Sequence, residues 1–216
     1  MKALGMIEVY SFTTAVCVAD LCAKTSDVKV IAFDRTRPVS ADVPAPLVMV
    51  VKIEGDVSSV RSAVEAGSEL AKRENKYIVS HIIANPGEDM EKMGYLMDIN
   101  KDKYNKKLPK SFYGMEIEEK STQAIGLLEV SGLVASIEGL DNMLKSADVR
   151  LVHTEKRLGG RLVTIIITGT VSAVTAAVEN GKAAASVLGG IYGDAVIARP
   201  HSEVTKFFDF DVDSAE

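Results

Sequence analysis

"ALGMIEVYSFTTAVCVADLCAKTSDVKVI" runs from Ala3 to Ile31, and "AIGLLEVSGLVASIEGLDNMLKSADVRLV" runs from Ala124 to Val152. Ala3, Gly5, Glu8 and Val9 match Ala124, Gly126, Glu129 and Val130. Asp20, Lys24, Asp27 and Val28 match Asp141, Lys145, Asp148 and Val149, always at a shift of 121 (124 − 3). Further on, "GDVSSVRSAVEAGSELA" from Gly55 matches "GTVSAVTAAVENGKAAA" from Gly169, now at a shift of 114 (169 − 55). The first copy therefore carries seven extra residues (121 − 114), between Ile31 and Val48. An internal repeat of this length means one supersecondary unit used twice.

Each copy reads as the same series of elements. A strand opens it, with Leu4 and Met6, or Ile125 and Leu127, as alternating apolar residues. A helix follows, in which Leu140, Met143 and Leu144 are expected on one apolar face. Two strands come next; "RLVTIIITG" has the Val, Ile and Thr of a buried strand. A second helix has Val171, Val174, Val178, Gly181 and Ala185 at helical spacing. A last strand ends at Pro86 or Pro200, which cannot extend it. The order is βαββαβ, twice. It predicts an α+β fold of two ferredoxin-like units, with helices on a mainly antiparallel sheet. Gly67 and Gly181 recur inside the second helix, where a glycine costs about 1 kcal/mol against alanine. Close packing of that helix on its neighbour is the expected compensation.

The predicted division is 1–87, a first domain; 88–122, a charged linker; 123–209, a second domain; and 210–216, an acidic tail. The linker is expected to be a partly helical surface connector, with Tyr95, Leu96, Tyr104, Phe112 and Tyr113 weighing against full disorder. The end, "FDFDVDSAE", is expected to fray.

Several function classes are disfavoured. A net charge of −5 argues against general nucleic-acid binding. No RNP-type aromatic signature appears, although RNA-binding domains share a βαββαβ plan. No apolar run reaches membrane-spanning length and no signal-peptide core opens the chain, so a soluble cytoplasmic protein is expected. Cys17 and Cys22, five apart on a helix, are poorly placed for a disulfide. Neither they nor His81, His153 and His201 have metal-site spacing, so no metal and no cofactor is expected. Glu8 and Glu129 recur on the opening strands, where a structural pairing role outweighs a catalytic one. No catalytic residue is assigned and no enzyme is expected.

"KRLGGR", from Lys156, lacks P-loop spacing and joins two strands, so no helix N-terminus is available there to hold a phosphate. Its plain reading is a hairpin tip. The repeated "K-[TS]-[SA]-D-V", "AIGLLEV", the hairpin "EKRLGGRLVTIIITG" and "ARPHSEV" from Ala198 together resemble bacterial microcompartment shell proteins. The resemblance covers nearly all of 3–86 and 124–208 and is to the tandem-domain, trimer-forming class, in its unpermuted branch.

The resemblance implies a structural protein. Three chains would form a flat pseudohexameric tile that joins other shell proteins in a facet around encapsulated enzymes. It implies that the loops between the central strands line a pore on the tile axis, passing small polar or anionic metabolites. Those residues are Arg37, Pro38, Val39, Ser40 and Asp42 in the first copy, and Arg157, Leu158, Gly159, Gly160 and Arg161 in the second. It places Lys24, Lys145 and Arg199 at the tile edge. The first copy departs from the pattern, with Asn85, Pro86 and Gly87 where the second has Arg199, Pro200 and His201. Some relatives hold an iron–sulfur cluster at the axis through a loop cysteine; neither loop here has one. The alternative function is a trimeric sensor or carrier that binds a small molecule or anion through Arg37 and Arg157.

Overall fold

The computed structural model describes residues 2–36, 47–87, 123–159 and 162–208, with backbone alone for 155–159. The chain divides into two compact units, Met1–Leu108 and Pro109–Glu216.

Unit 1 comprises β1 (Ala3–Tyr10), α1 (Phe12–Thr25), β2 (Val28–Thr36), β3 (Val48–Gly55), α2 (Val57–Arg73) and β4 (Tyr77–Ile83). Unit 2 comprises β5 (Ala124–Ser131), α3 (Leu133–Ser146), β6 (Val149–Gly159), β7 (Leu162–Gly169), α4 (Val171–Ser186), β8 (Ile191–Ile197) and the short α5 (Ser202–Thr205). The sheet orders are β2-β3-β1-β4 and β6-β7-β5-β8. All neighbours are antiparallel. Each unit is thus the split βαβ arrangement that the repeat predicts.

The register follows the repeat as well. Gly5 faces Ile53 and Gly126 faces Ile167. One sheet face packs on the helices. In unit 2 that core includes Leu128, Val130, Ile165 and Ile167 with Met143, Val174 and Val178. In unit 1, Phe12 of α1 meets Phe33 of β2 edge-on, with ring centroids 5.9 Å apart.

Two helix starts share an unusual backbone. Gly132 precedes α3 with φ 103°, and Ser11 precedes α1 with φ 100°. Glycine adopts this region freely. Ser11 carries strain there, and its hydroxyl accepts from the Thr14 amide as a helix cap. The glycine inside the second helix is where the helices touch. A Cβ on Gly181 would stand 2.3 Å from Met143 Cγ and 2.9 Å from the Gly139 carbonyl. Gly67 sits equally close to Cys22 and Ile7.

The expected alternation of the opening strands is only partly seen. β5 is buried on both faces. Beyond β8, Val204, Phe207 and Phe208 are buried, and the Phe208 ring lies 5.8 Å from His153. His153 pairs with Ile166, on the sheet face turned away from the helices. The segment after β8 therefore lies on that second face, and Phe208 belongs to the fold rather than to a fraying end. The expected apolar face of α3 also differs. Met143 is buried and Leu140 partly so, but Leu144 is exposed.

Candidate functional site

The two hairpins between the central strands occupy equivalent places. In unit 1 the ladder ends at Thr36 opposite Val48. Arg37, Pro38, Val39, Ser40 and Asp42 follow Thr36 and lie outside the described residues. In unit 2 the ladder runs on to Gly159 opposite Leu162. Arg157, Leu158 and Gly159 thus belong to the backbone of β6, and Gly160 and Arg161 lie outside the described residues. The sequence reading put Leu158, Gly159 and Gly160 in the loop with Arg157 and Arg161 flanking it; β6 extends through Gly159, past a register shift between Glu155 and Gly159.

The lysines stand at the other end of the same strands. Lys24 closes α1 just before Val28 opens β2, and Lys145 closes α3 just before Val149 opens β6. Strand rise is roughly 3.3 Å per residue. The length of β2 therefore separates Lys24 from the hairpin by about 25 Å. Arg199 shares the end of Lys145. It follows Ile197, which pairs with Ile125, while Ala124 pairs with Gly169 and Gly169 with Val149. The structure brings Lys145 and Arg199 to one end of the sheet and sets both apart from the hairpin.

The two lysines differ in setting. Each pairs with an aspartate one turn earlier, Lys24 with Asp20 and Lys145 with Asp141 (2.6 Å). The Lys145 side chain is 74% exposed and that of Lys24 40%. The hydrogen bond that Lys145 donates to Asp141 raises the Lys145 pKa, which keeps its charge fixed. Arg199 is exposed, Pro200 beside it is buried, and His201 Nδ1 caps α5 by accepting from the Glu203 amide at 3.1 Å. In unit 1 the matching Asn85 is exposed.

Of the described groups that could support chemistry, Cys22 and Glu129 are buried. Burial pushes the Cys22 thiol up to about 12, and the thiol donates to the Ala63 carbonyl. Burial, with Glu74 and Asp20 nearby, likewise raises Cys17 to about 12. Both cysteines are free. Glu129 is buried opposite Thr164, whereas its repeat mate Glu8 is half-buried opposite Val50. Among the described residues no group of three His, Cys, Asp or Glu is placed to hold a metal ion. No described helix is long and apolar enough to cross a membrane.

Two features escaped the sequence reading. One is a buried ion pair, Asp34 with Lys52, on the sheet of unit 1. The other is an exposed apolar surface on α3, at Leu133, Val134 and Ile137. The available signal was the width of the apolar face of α3, where Leu133, Val134 and Ile137 extend beyond the side that Met143 buries.

Comparison with known proteins agrees with the repeat. The carboxysome assembly protein CcmO of Synechococcus elongatus is 33% identical over 198 residues, covering 92% of this chain and 65% of that protein. The chain thus spans about two thirds of that relative's length. The microcompartment shell protein PduA of Citrobacter freundii is 49% identical over 84 residues, covering 39% of this chain and 89% of that protein. A crystal structure of a microcompartment protein from Desulfitobacterium hafniense is 23% identical and covers 95% of this chain and 99% of its own, with a TM-score of 0.38. The family model for the BMC domain matches residues 3–86 and again 124–200. With both matches falling on the two βαββαβ units, the chain belongs to the BMC-domain family of bacterial microcompartment shell proteins and carries the domain in tandem.

Proposed function

We propose that this chain is a structural tile of a microcompartment facet, in which three copies close a ring of six units. The observation that carries the reading is the separation along β2 and β6. The hairpins stand at one strand end, and the lysines stand at the other, with Arg199 beside Lys145's end of the sheet. A flat ring has an axis and a rim, and this polarity supplies one of each. The relatives named as shell and assembly proteins support the same role, which needs no catalytic centre.

In this reading the hairpins meet on the axis in alternation. Three copies of Arg157 and Arg161 put six cationic groups around it, Arg37 adds three, and Asp42 offsets three. Cations crowded in a constriction attract anions and repel one another unless screened. The opening therefore favours small anionic or polar metabolites. Pro38, Pro44 and Pro46 restrict the backbone of the first loop to a few states. Lys24, Lys145 and Arg199 donate to carbonyls of the neighbouring tile.

The test is anion placement and flux. Crystals soaked in sulfate or phosphate should hold an anion near the axis, and Arg157→Glu should lower anion flux through reconstituted tiles. An axis without an anion, with flux unchanged by the charge reversal, would remove the pore assignment. A discrete trimer that binds a small molecule and never forms sheets would favour the sensor.

A further inference from the structure

We infer that the second face of the unit 1 sheet is a docking surface whose occupant is the chain's own segment 88–93, "EDMEKM". There it takes the place that α5 and Phe207 hold in unit 2.

Register identifies the face. A Cβ on Gly5 would meet Val60 and Val64 of α2, and Phe33 meets Phe12 of α1. Both helices therefore lie on one side of the sheet. Side chains alternate along a strand. Ala32 and Asp34 on β2, Val50 and Lys52 on β3, and Met6 and Glu8 on β1 thus belong to the other side. No described helix of unit 1 lies there. Yet Ala32, Asp34 and Lys52 are only 0%, 4% and 8% exposed. A sheet face left to water would expose them, so this one takes a cover.

Unit 2 shows the cover that the fold uses. Val204 and Phe207 are 0% and 3% exposed, Lys206 donates to Glu203 at 2.6 Å, and Phe208 lies against His153. The repeat continues past the last strand of unit 1 at the same shift of 114 (200 − 86). Pro86 matches Pro200, Met90 matches Val204, Lys92 matches Lys206 and Met93 matches Phe207. Asp89 stands where Glu203 stands, so the ion pair three residues apart has its counterpart. Both members of the Phe208–His153 contact change together, to Gly94 and Ala32. Gly87 replaces the His201 cap; glycine is accepted at that position, and Glu88 and Asp89 suit the positive end of a helix.

The segment also suits the surface it meets. Methionine is long and adaptable, and it can lie along the aliphatic stem of Lys52, where unit 2 has Ile166. No residue is inserted or lost between Pro86 and Met93, so the chain needs no slack to reach the face. Other stretches have no such precedent: in unit 2 the segment after the last strand covers this face. The first domain then runs to Met93, and the connector starts at Gly94.

The test is photo-crosslinking of the full chain with a diazirine analogue in place of methionine, read by peptide mass spectrometry. Met90 and Met93 should link to peptides of β2 or β3, and Met6, on the same face, should link to 88–93. Mixing isotope-labelled and unlabelled chains should show these links to lie within one chain. In a second measurement, Met90→Ala/Met93→Ala should raise the unfolding constant about 30-fold or more, as truncation of buried methionines does. Ile99→Ala, beyond the segment, should leave it unchanged. Met6 linked to 37–46 or to another chain, with no link from Met90 or Met93 to the unit 1 sheet, overturns the inference. An unfolding constant that the Met90/Met93 double variant does not change overturns it as well.

Discussion

Asp34 on β2 and Lys52 on β3 form an ion pair inside unit 1, with side chains only 6% and 10% exposed, at strand positions where unit 2 carries Glu155 and Ile166. Burial holds the Asp34 carboxyl above its ordinary pKa, and Lys52 offsets part of the rise. One Asp34 oxygen has no hydrogen-bond partner. The pair is a cost of desolvation that its own attraction only partly repays.

Breaking the pair from one side leaves a buried charge. Lys52→Ile, the residue unit 2 has at this place, should lower unfolding stability by about 3–5 kcal/mol at neutral pH. Adding Asp34→Asn should recover most of that loss. The pH dependence has a definite sign. Removing Lys52 raises the folded-state pKa of Asp34 further above its unfolded value of about 3.9. The favourable, protonated state is fully present below that value, and its stabilisation is lost as pH rises through the folded pKa. The deficit of Lys52→Ile should therefore shrink as pH falls from 7 to 4, read as urea midpoints. A deficit that grows on acidification would show the charge to be solvated.

Gly181 tests the helix contact. Gly181→Ala places a methyl against Met143 and the Gly139 carbonyl of α3. It should destabilise the chain by about 1–3 kcal/mol despite alanine's better helix propensity. Gly190→Ala, whose new methyl would meet nothing nearer than Tyr192 at 3.6 Å, should change stability by no more than about 0.5 kcal/mol. Equal urea midpoints for the two variants would mean that α3 and α4 do not pack this closely.

These cases show what the sequence makes legible. Strand order, helix placement and the role of Gly67 and Gly181 follow from a repeat whose matched residues have matched neighbours. The exposure of Leu144 and the two-sided burial of β5 do not follow, because each depends on what covers a surface. Periodicity reports that a face is apolar; it does not say whether Phe208 or another chain lies against it. The Asp34–Lys52 pair is hidden for a related reason. The residues are 18 apart (52 − 34) and join only through strand register. The strand position of Arg157 and Leu158 turns on a local register shift that no residue type announces.

Lys145 separates folding from tiling. Its pair with Asp141 is exposed, so Lys145→Ala should leave the urea midpoint and the size of the particle unchanged. Extended sheets at high concentration, seen by electron microscopy, should become sparse. Lys24→Ala should have an equal or smaller effect, since Lys24 is the less exposed of the two. Unchanged sheets in the Lys24/Lys145 double variant would take both residues out of the tile edge.

The central claim is that the two units of one chain alternate around a common axis. Cryo-electron microscopy of the purified full chain tests it most directly. The account predicts a particle of three chains, each 23.2 kDa, whose six domains form a flat ring with three-fold symmetry. The two kinds of hairpin should alternate at its centre, with Lys24 and Lys145 outermost. A particle with two-fold symmetry, or a ring with the lysines at the axis and the hairpins at the rim, would contradict it.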